Sequence, residues 1–379
     1  MLSYNIMVPV PEPIRFYGQR ERAQRVKDVI RDLDQKHNLD VVILNEVCTP
    51  ESQSIVFTDL PSIGFAHRTK KLTDVFIAAS GGVILFSKHP ITQEACTIFG
   101  DKCLGADCLA AKGVVYARVR KNGAYFNVFG THLQAWPSIK AHAARDQQIH
   151  QTLKMIQSLQ IPADEAVVFA GDLNTDMYHD REYIRHIAYK LGVEIPEVHP
   201  ESYPFTVDPR ENKMVGNDDP TAYVNDDWPN GCVQEYYATL QCPCCPAEWL
   251  DYVLYSKAHL KPTESYMRSF AAKVAPFRMK INASKEVPDM QDVSDHFPVL
   301  GHFVFEAVEK PADKFDRVSD QPRRLDTETS TNTIVVAVVI AVVGLIVLVA
   351  GFLAIRKIRN NPAKTPSAFT SHRSTPWSF

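Results

Sequence analysis

Polar side chains that suit metal and phosphate chemistry stand at the ends of several apolar stretches of this sequence. Each stretch has the β-branched and aromatic composition of a buried strand. The polar residues are Asn5, Glu46, His132, Asp172, Asn174, Asp295 and His296. Because the ends of neighbouring strands can converge at one edge of a sandwich, we expect these side chains to line one pocket.

This set of side chains fits metal-assisted hydrolysis of a phosphodiester. Glu46 and Asn5 offer the oxygen ligands that Mg²⁺ prefers, and such an ion polarises phosphoryl oxygens and offsets their growing charge. A carboxylate or imidazole near His296 can remove a proton from the attacking water. Asp172 and Asn174 are two residues apart, so on an extended segment both would face the phosphate or that water.

Each of these residues also has a structural interpretation when it is taken alone. Asn5 can be a turn residue, Glu46 a solvated carboxylate, and the segment 172–174 a loop with side-chain turns. His132 can be a hydrogen-bonded histidine of the core. The combination, rather than any single residue, favours a functional site.

The elements that must position these residues can be read from hydrophobic periodicity. Amphipathic spacing predicts helices at Gln19–Lys36, Ala143–Leu159 and Arg181–Leu191. An apolar stretch that begins at Leu2 predicts the first core strand. Further strands are predicted at Asp40–Leu44, Gly82–Ser87, Gly113–Val119, Tyr125–Thr131, Ala166–Ala170, Trp249–Ser256 and Phe297–Phe305. Strands outnumber helices, which favours a mixed α/β fold of two packed sheets with helices outside.

Composition and charge limit the class of protein. The 379 residues are 45% hydrophobic and 22% charged, which excludes a disordered chain and allows one large folded domain. The net charge is -3, but five basic residues and no acidic ones follow position 355, so the rest carries -8. That balance argues against binding of a polyphosphate backbone by charge.

The C-terminal part predicts a membrane anchor. Ile334–Ile355 is an unbroken apolar run, long enough to cross a bilayer as a helix. We therefore expect a folded domain at 1–308, a juxtamembrane linker at 309–333, a transmembrane helix at 334–355 and a basic tail at 356–379. The positive charge after the span places the tail in the cytosol and the domain outside or in a lumen.

Two further features bear on this topology. All eight cysteines precede the span, and Asn282-Ala283-Ser284 is a glycosylation sequon, which both suit a non-cytosolic domain. No signal peptide follows Met1. Either a signal sequence is missing from this chain, which we favour, or the protein is tail-anchored with its bulk in the cytosol.

Four motifs resemble the endonuclease/exonuclease/phosphatase superfamily, and within it the neutral, Mg²⁺-dependent sphingomyelinases of the bacterial secreted type. They are Leu44-Asn45-Glu46-Val47, Gly130-Thr131-His132-Leu133-Gln134-Ala135, Gly171-Asp172-Leu173-Asn174 and Ser294-Asp295-His296-Phe297-Pro298-Val299. Tyr17 to Ala23 resembles the entry to the first helix of that family. Gly105 to Val114 resembles its phosphate-loop-like segment, and Glu248 to Tyr252 its penultimate strand. The similarity spans residues 1–305.

The resemblance implies a four-layer αββα sandwich and a set of roles. Asn5 and Glu46 would hold Mg²⁺, with Mn²⁺ or Co²⁺ as possible substitutes, and Asp295 would lie near the metal and its water. His296 would be the general base, and Asp251 would orient it.

The substrate would be met by other residues. Asp172 and Asn174 would hold the water or the leaving group, and His132 would contact the phosphate. Lys112 belongs to the phosphate-loop-like segment and would bind substrate. Asp107 would lie near the head group, or be an ordinary loop residue.

The chain also departs from these relatives. The span itself is one departure, and the cysteine-containing excursion 202–245 is another. Cys242-x-x-Cys245 can suggest zinc, but no second such pair is present, so disulfides that also involve Cys232 and Cys244 are favoured. The membrane-inserting aromatic hairpin of the bacterial enzymes has no clear copy. Met267–Ile281 is a candidate, although buried core is the preferred interpretation.

We therefore expect a membrane-anchored enzyme of sphingolipid metabolism that cleaves sphingomyelin to ceramide and phosphocholine. Its partner would be the lipid membrane, with no nucleic acid and no obligate protein partner. The alternatives are a nuclease, an inositol-polyphosphate phosphatase or a non-catalytic ectodomain. The phosphatase motifs usually carry Arg where this chain has Thr175 and Tyr252.

Overall fold

The computed structural model describes residues 1–8, 18–73, 79–215, 247–280 and 286–306. Several predictions fall outside these ranges: the linker, membrane span and basic tail at 309–379, Tyr17, Asn282, and the four cysteines of the 202–245 excursion. None of the helices within the described ranges is long and apolar enough to cross a membrane.

The described chain contains α-helices and many short strands. The helices are α1 Gln19–Ala23, α2 Val26–His37, α3 Pro50–Ser62, α4 Ile139–Leu159 and α5 Arg181–Leu191, with a 3-10 helix at Gly105–Leu109. The strands are β1 Leu2–Val8, β2 Val41–Val47, β3 His67–Arg68, β4 Ala79–Ser80, β5 Ile84–Ser87, β6 Ile91–Ile98, β7 Ala110–Ala111, β8 Gly113–Lys121, β9 Ala124–His132, β10 Ala166–Asp172, β11 Val193–Glu194, β12 Glu197–Val198, β13 Asp251–Ser256, β14 Glu264–Ser269, β15 Phe277–Lys280, β16 Glu286–Met290 and β17 Val299–Val304.

Two large sheets dominate the described structure. The first has seven strands in the order β12-β14-β17-β1-β2-β5-β3, and the second has six in the order β11-β13-β10-β9-β8-β6. Both are mixed, since β1 runs parallel to β2 but antiparallel to β17, and β10 runs parallel to β9 but antiparallel to β13. The strands that carry the predicted polar residues therefore lie in the middle of their sheets.

The two sheets pack face to face through alternate residues of each strand. In β2, Ile43 belongs to the core shared with the second sheet, together with Val115 and Phe129. The neighbouring Val42 and Leu44 belong to a different core on the opposite face. This period of two is the normal geometry of a strand buried on both sides, and it explains why these strands read as continuous apolar runs.

Helices cover the outer faces of both sheets. Val29 and Ile30 of α2 and Leu60 of α3 pack on the first sheet, while Ile149 of α4 and Ile187 of α5 pack on the second. Fully burying side chains of this size contributes roughly 1.5–3 kcal/mol each. The mixed α/β class predicted from the sequence is confirmed.

Several element boundaries differ from the predictions. Helix α4 begins at Ile139, earlier than predicted, because the Ser138 hydroxyl accepts a hydrogen bond from the Ala141 amide at 3.1 Å. The predicted single helix at 19–36 is wrong, because it breaks into α1 and α2. At the break, the Arg25 amide donates to the Arg22 carbonyl at 2.9 Å, an i to i−3 bond that tightens the turn.

A disulfide is present, but outside the predicted region. Cys103 and Cys108 are bonded, and Cys108 lies within the 3-10 helix that precedes β7. Among the other described cysteines, Cys48 is buried and free and Cys96 is exposed and free. The disulfide therefore ties the first part of the phosphate-loop-like segment to the residue two positions before it.

The structure contains a pair of short antiparallel strands that begins within the 267–281 candidate segment. The sequence shows no clear copy of the bacterial membrane-inserting hairpin. Strands β15 and β16 pair antiparallel, and Phe277, Met279 and Met290 are buried in a small core with Met7 and Met214. The preferred interpretation of the 267–281 segment as core is therefore confirmed for Phe277 and Met279. The outward positions of β15 are the basic residues Arg278 and Lys280.

Candidate active site

The predicted polar residues converge where the two sheets meet. In the second sheet, Asp172 lies in register with His132 of β9 on one side and with Asp251 of β13 on the other. Residues paired in this way point to the same face of a sheet. The first sheet contributes Asn5 from β1 and Glu46 from β2.

Asn5 joins the two sheets by its side chain. Its amide nitrogen donates to Glu46 Oε1 and to Asp172 Oδ2, both at 3.1 Å. Its oxygen accepts the Met7 amide at 3.0 Å. In this arrangement the nitrogen of Asn5 faces the carboxylates, so Asn5 can ligate a cation only with its amide turned over.

His296 and Asp251 form an oriented pair. Nδ1 of the imidazole lies 2.7 Å from Oδ2 of Asp251, and Nε2 lies 3.8 Å from Asp172 Oδ2. A carboxylate at Nδ1 fixes the proton there and leaves Nε2 for chemistry. Burial acts to lower the pKa of His296, but the charges of Asp251 and Asp295 outweigh it and raise the pKa well above its ordinary value. A cation among these carboxylates would oppose that rise.

The carboxylates at the centre are buried, and they repel neighbouring carboxylates. Burial, followed by repulsion from Asp295, raises the pKa of Glu46 to about 7. Burial, followed by repulsion from Asp251, raises the pKa of Asp172 to about 6. Buried carboxylates that resist ionisation in this way are the oxygen donors that a hard divalent cation requires. The residues present therefore fit a site for such an ion.

A second grouping also meets the spacing of a metal site. Ligand atoms of Asp172, Asp251 and His296 all lie within 4.8 Å of one another. Because Nδ1 of His296 is already held by Asp251, this trio can hold an ion only through Nε2 and carboxylate oxygens. Asp172 belongs both to this trio and to the pair of carboxylates that it forms with Glu46. The acidic cluster can therefore hold a metal at more than one position.

His132 lies beside the same cluster of carboxylates and contacts Lys112. Its Nε2 is 3.6 Å from Asp172 Oδ2, 3.9 Å from Glu46 Oε1 and 3.2 Å from the Lys112 ammonium nitrogen. Burial, then the charges of Lys112 and His296, lower the pKa of His132 well below its ordinary value. His132 is therefore neutral at neutral pH.

The buried Lys112 and the partly buried Asp107 form an ion pair. The Lys112 ammonium donates to Asp107 Oδ2 at 2.6 Å and to the Leu133 carbonyl at 2.9 Å. The same Asp107 oxygen accepts the Ala135 amide at 2.7 Å. The Asp107 carboxylate is thus engaged with the loop that follows His132, rather than presented to a head group.

Asn174 adopts a different backbone from the one predicted. The sequence argument places Asp172 and Asn174 on one extended segment, which is wrong because Asn174 has a left-handed φ of 49°. The Asn174 amide donates to Asp172 Oδ1 at 2.8 Å and its side chain donates to the Leu133 carbonyl at 3.0 Å. This turn brings Asn174 back beside Asp172, so the two residues still share one region.

A close backbone approach at Gly171 and a left-handed backbone at Glu46 make this geometry possible. A Cβ atom on Gly171 would lie 1.8 Å from the Thr131 carbonyl oxygen, so only glycine fits before Asp172. Glu46 has a φ of 61°, which is left-handed and costly for a residue with a side chain. Strain at a residue of this kind is typical of functional sites.

The sequence comparison decides the family of this chain. Residues 2–296 match the Endonuclease/Exonuclease/phosphatase family. The chain belongs to this family. Within it, Sphingomyelinase C of Leptospira interrogans is 30% identical over 325 residues, covering 80% of this chain and 51% of the relative. Sphingomyelinase C of Bacillus cereus is 28% identical over 321 residues, covering 79% and 86%.

Solved structures of the same fold support this assignment. SmcL has a TM-score of 0.64 at 28% identity and covers 80% of this chain and 97% of its own. Beta toxin from Staphylococcus aureus, solved with bound magnesium ions, has a TM-score of 0.65 at 23% identity and covers 80% and 98%, which shows the shared fold. The resemblance to bacterial sphingomyelinases is confirmed, although this chain spans about half the length of the Leptospira relatives it matches.

Arg22 supports the site of this family member; the sequence analysis includes it in the Tyr17 to Ala23 motif but assigns it no role at the site. The buried guanidinium donates to the carbonyls of Ile6, Met7 and Val293 at 2.9, 2.6 and 2.8 Å. The first two carbonyls follow Asn5 on β1, and the third precedes Ser294 in the segment between β16 and β17. One sequence signal could have identified Arg22. It is a basic residue on the apolar stripe of the predicted helix 19–36, four residues before Val26.

Ser294 and Asn212 hold the segment that carries Asp295 and His296. The Ser294 hydroxyl donates to the Asn5 carbonyl at 2.6 Å and to Asp295 Oδ1 at 3.1 Å. The Asn212 side chain donates to the carbonyls of Ser294 and Asp295 at 2.8 and 3.1 Å. The serine is visible as part of a motif, but no local signal marks Asn212.

Proposed function

We propose that this protein hydrolyses sphingomyelin to ceramide and phosphocholine in a Mg²⁺-dependent reaction. The observation that carries the proposal is the oriented pair of Asp251 and His296 beside the buried carboxylates of Glu46 and Asp172. That arrangement suits attack of water on a phosphodiester. The names of the curated relatives, at 28–30% identity, support sphingomyelin as the substrate.

His296 acts as the general base in this proposal. Its Nδ1 is held by Asp251, so Nε2 takes the proton of the attacking water. Asp251 then stabilises the imidazolium by the same hydrogen bond. Asp172 lies 3.8 Å from Nε2 and accepts a hydrogen bond from the water that His296 deprotonates.

Glu46 and Asn5 are the residues proposed to hold Mg²⁺, with Asp295 near the ion and its water. When bound, the ion polarises the phosphoryl oxygens and offsets the negative charge that grows on them. Mn²⁺ or Co²⁺ would suit the same oxygen donors. His132, neutral and buried, contacts a phosphoryl oxygen, while Lys112 adds positive charge behind it.

One observation disfavours an inositol-polyphosphate phosphatase. The position after the Gly-Asp-x-Asn motif is Thr175, and the position after Asp251 is Tyr252. The buried Tyr252 hydroxyl donates to the Thr175 carbonyl at 2.6 Å. Neither position supplies a cation for additional phosphate groups.

A side-by-side assay tests the substrate. The purified protein is incubated with Mg²⁺ and sphingomyelin, phosphatidylcholine, DNA or inositol phosphates, with and without EDTA. We expect sphingomyelin to be cleaved fastest, and chelator to abolish the activity. His296→Ala is the inactive control, and His302→Ala is its matched control because the exposed side chain of His302 on β17 lies against Glu264. Faster cleavage of DNA or an inositol phosphate would overturn the proposal.

We further propose that residues 334–355 anchor the enzyme to a membrane, with its catalytic domain extracellular or lumenal and its basic tail cytosolic. The support is the unbroken apolar run and the five basic residues that follow it. An anchor would keep the enzyme at its lipid substrate. Protease treatment of intact cells, with separate tags on domain and tail, tests this orientation. Loss of the domain tag alone supports it, and loss of the tail tag alone contradicts it.

A further inference from the structure

Exposed apolar side chains lie on the loop that leads out of the candidate active site. Strand β9 ends at His132, and the chain then runs through residues 133–138 into α4. Trp136 is 36% exposed, Ile139 at the start of α4 is 82% exposed, and Pro137 between them is also exposed. Isolated exposed apolar residues are common, but a group of them at the edge of a site indicates an interaction surface.

The backbone of this loop is held by a buried arginine. Nη1 of Arg145 donates to the carbonyls of Gln134 and Trp136 at 2.7 and 2.8 Å. Trp136 has a left-handed φ of 78°. Such a backbone is rare for a bulky residue, and strain of this kind is concentrated at functional sites. The hydrogen bond from Arg145 therefore fixes Trp136 in a conformation that is costly in itself.

A second loop is bonded to the first and carries another exposed apolar residue. Asp107 Oδ2 accepts the Ala135 amide at 2.7 Å. The Leu104 backbone exchanges hydrogen bonds with the Gln134 side chain at 2.7 and 3.2 Å. Leu109, at the end of the 3-10 helix in this second loop, is 65% exposed. The exposed apolar residues of both loops therefore belong to the edge of the sandwich that contains the candidate site.

The charge and size of this region suit a lipid surface. No acidic residue occurs in the sequence between Asp107 and Asp146, although the net charge of the chain is -3. Asp107 is paired with Lys112, and Lys140 is exposed beside Ile139. A stable protein interface takes roughly 20–30 residues a side, which is more than these two loops contain. Tryptophan favours the boundary between lipid head groups and acyl chains.

We propose that Trp136, Ile139 and Leu109 form an interfacial surface that inserts into a lipid bilayer beside the candidate active site. The choice of a bilayer as the occupant rests on the proposed function, because the substrate would lie in that bilayer. Insertion of these side chains brings the neighbouring site to the level of the head groups. The interfacial surface belongs to loops of the second sheet and not to the β15–β16 hairpin, whose outward positions are Arg278 and Lys280.

Quenching by brominated lipid tests insertion at a single residue. The 379-residue protein is bound to vesicles of phosphatidylcholine, either unmodified or brominated on the acyl chains. The emission that Trp136 contributes is the difference between the wild type and Trp136→Phe. We expect brominated lipid to quench most of that difference, because an inserted indole lies at the depth of the bromine atoms. Vesicle-bound protein without this quenching would overturn the inference.

A relocated tryptophan is the matched control for that measurement. Tyr189 is 80% exposed on α5 and lies outside the two loops. We expect Tyr189→Trp, introduced together with Trp136→Phe, to add emission that brominated lipid leaves unquenched. Equal quenching at the two positions would indicate unspecific adsorption and contradict the interfacial surface. Self-association in sedimentation without quenching at Trp136 would also overturn it, since the occupant would then be a second copy of this chain.

A kinetic test uses a different residue of the same surface. We expect Ile139→Ser to lower the ratio of kcat/KM on sphingomyelin vesicles to kcat/KM on soluble p-nitrophenylphosphocholine by about tenfold, mainly through apparent KM. Val304→Ser is the matched control, because Val304 is 41% exposed at the end of β17 that lies farther from His296. An equal loss on both substrates contradicts the inference, because Ile139 would then act on the fold or the site.

The outcomes distinguish this inference from the proposed function. Quenching at Trp136 without cleavage of sphingomyelin supports the interfacial surface and contradicts the proposed function. Cleavage of sphingomyelin without quenching, or with an unchanged ratio in Ile139→Ser, overturns the interfacial surface and leaves the proposed function intact.

Discussion

Oδ2 of Asp251 lies 2.7 Å from Nδ1 of His296, although the two residues belong to opposite sheets. Asp251 begins β13 of the second sheet, and His296 precedes β17 of the first. The contact between Asp251 and His296 therefore depends on the packing of the two sheets. Loss of the His296 imidazole should therefore lower activity more than loss of the Asp251 charge that orients it.

We expect His296→Ala to lower kcat by about 10²–10⁴-fold with a small change in KM, because a base acts on the attacking water and adds little to substrate binding. Asp251→Asn should be intermediate, since the imidazole remains but loses its orientation and its charge partner. Steady-state kinetics on sphingomyelin check both. A His296→Ala protein with near-normal kcat would remove His296 from this role.

Glu46→Gln should weaken divalent-metal binding as well as activity. The substitution keeps the shape of the side chain but removes one negative charge from the acidic cluster. Mn²⁺ binding followed by electron paramagnetic resonance measures the affinity directly, and we expect a loss of about tenfold or more. Glu264→Gln is the control, because Glu264 is an exposed residue at the start of β14. Equal Mn²⁺ affinity in the two variants would exclude Glu46 as a ligand.

Removal of the disulfide with Cys103→Ser and Cys108→Ser should cost stability and activity together. Opening this short loop costs about 2 kcal/mol of unfolding free energy. It also loosens Leu104, whose backbone exchanges hydrogen bonds with the Gln134 side chain at 2.7 and 3.2 Å. Denaturant unfolding and kcat/KM report the two effects.

The free and exposed Cys96 supplies the control for that experiment. Cys96→Ser should match the wild type in both measurements. If the double serine variant also matches, the disulfide neither stabilises the fold nor positions the loop beside His132.

The stability advantage of Glu248→Gln over the wild type should grow as pH rises. The pKa of Glu248 is raised from 4.5 to about 7 in the folded state. A raised carboxyl pKa means that the folded state binds the proton more tightly, so this stabilisation is present below the unfolded pKa and is lost as pH rises through the folded one. Glutamine resembles the protonated form at every pH. Urea unfolding at about pH 5 and about pH 8 measures the difference, and an equal difference at both values would contradict the assignment.

Gly171→Ala should be among the most destabilising alanine substitutions in the chain. The added Cβ would lie 1.8 Å from the Thr131 carbonyl oxygen, at a φ of 144° that disfavours side chains. We expect a loss of about 3–5 kcal/mol in unfolding free energy. At Gly123 a Cβ would meet nothing within 4 Å, so Gly123→Ala should cost only about 1 kcal/mol, from its positive φ. Thermal unfolding compares the two.

The sequence predicts the strands of this fold better than its caps and crosslinks. Runs such as Ala166–Ala170 identify central strands because burial on both faces leaves few polar interruptions. Helix α3 escapes periodicity analysis because its apolar pattern is weak, although Thr49 caps it and Pro50 begins it. The Cys103–Cys108 pairing is not predictable from cysteine number, since pairing depends on where the chain folds back.

The site is predictable in composition and only partly in geometry. Strand-end positions indicate that Asp172 and His132 converge, because parallel neighbours end at the same edge. Neither the left-handed backbone of Asn174 nor the engagement of Asp107 with Lys112 follows from residue type. Asn212 contacts the Ser294 segment across 82 residues of sequence, and contacts at that range leave no local pattern.

The hydrogen bond from Ser294 to the Asn5 carbonyl, together with the pairing of β1 and β17, has a consequence for biosynthesis. While β17 is still inside the ribosome, the nascent chain already contains Asn5, Glu46 and Asp172. It cannot yet place His296 against Asp251. Hydrolytic chemistry is therefore withheld until almost the whole domain has been made. Under the proposed function, this order of synthesis keeps the chain inert toward lipid until the domain is complete.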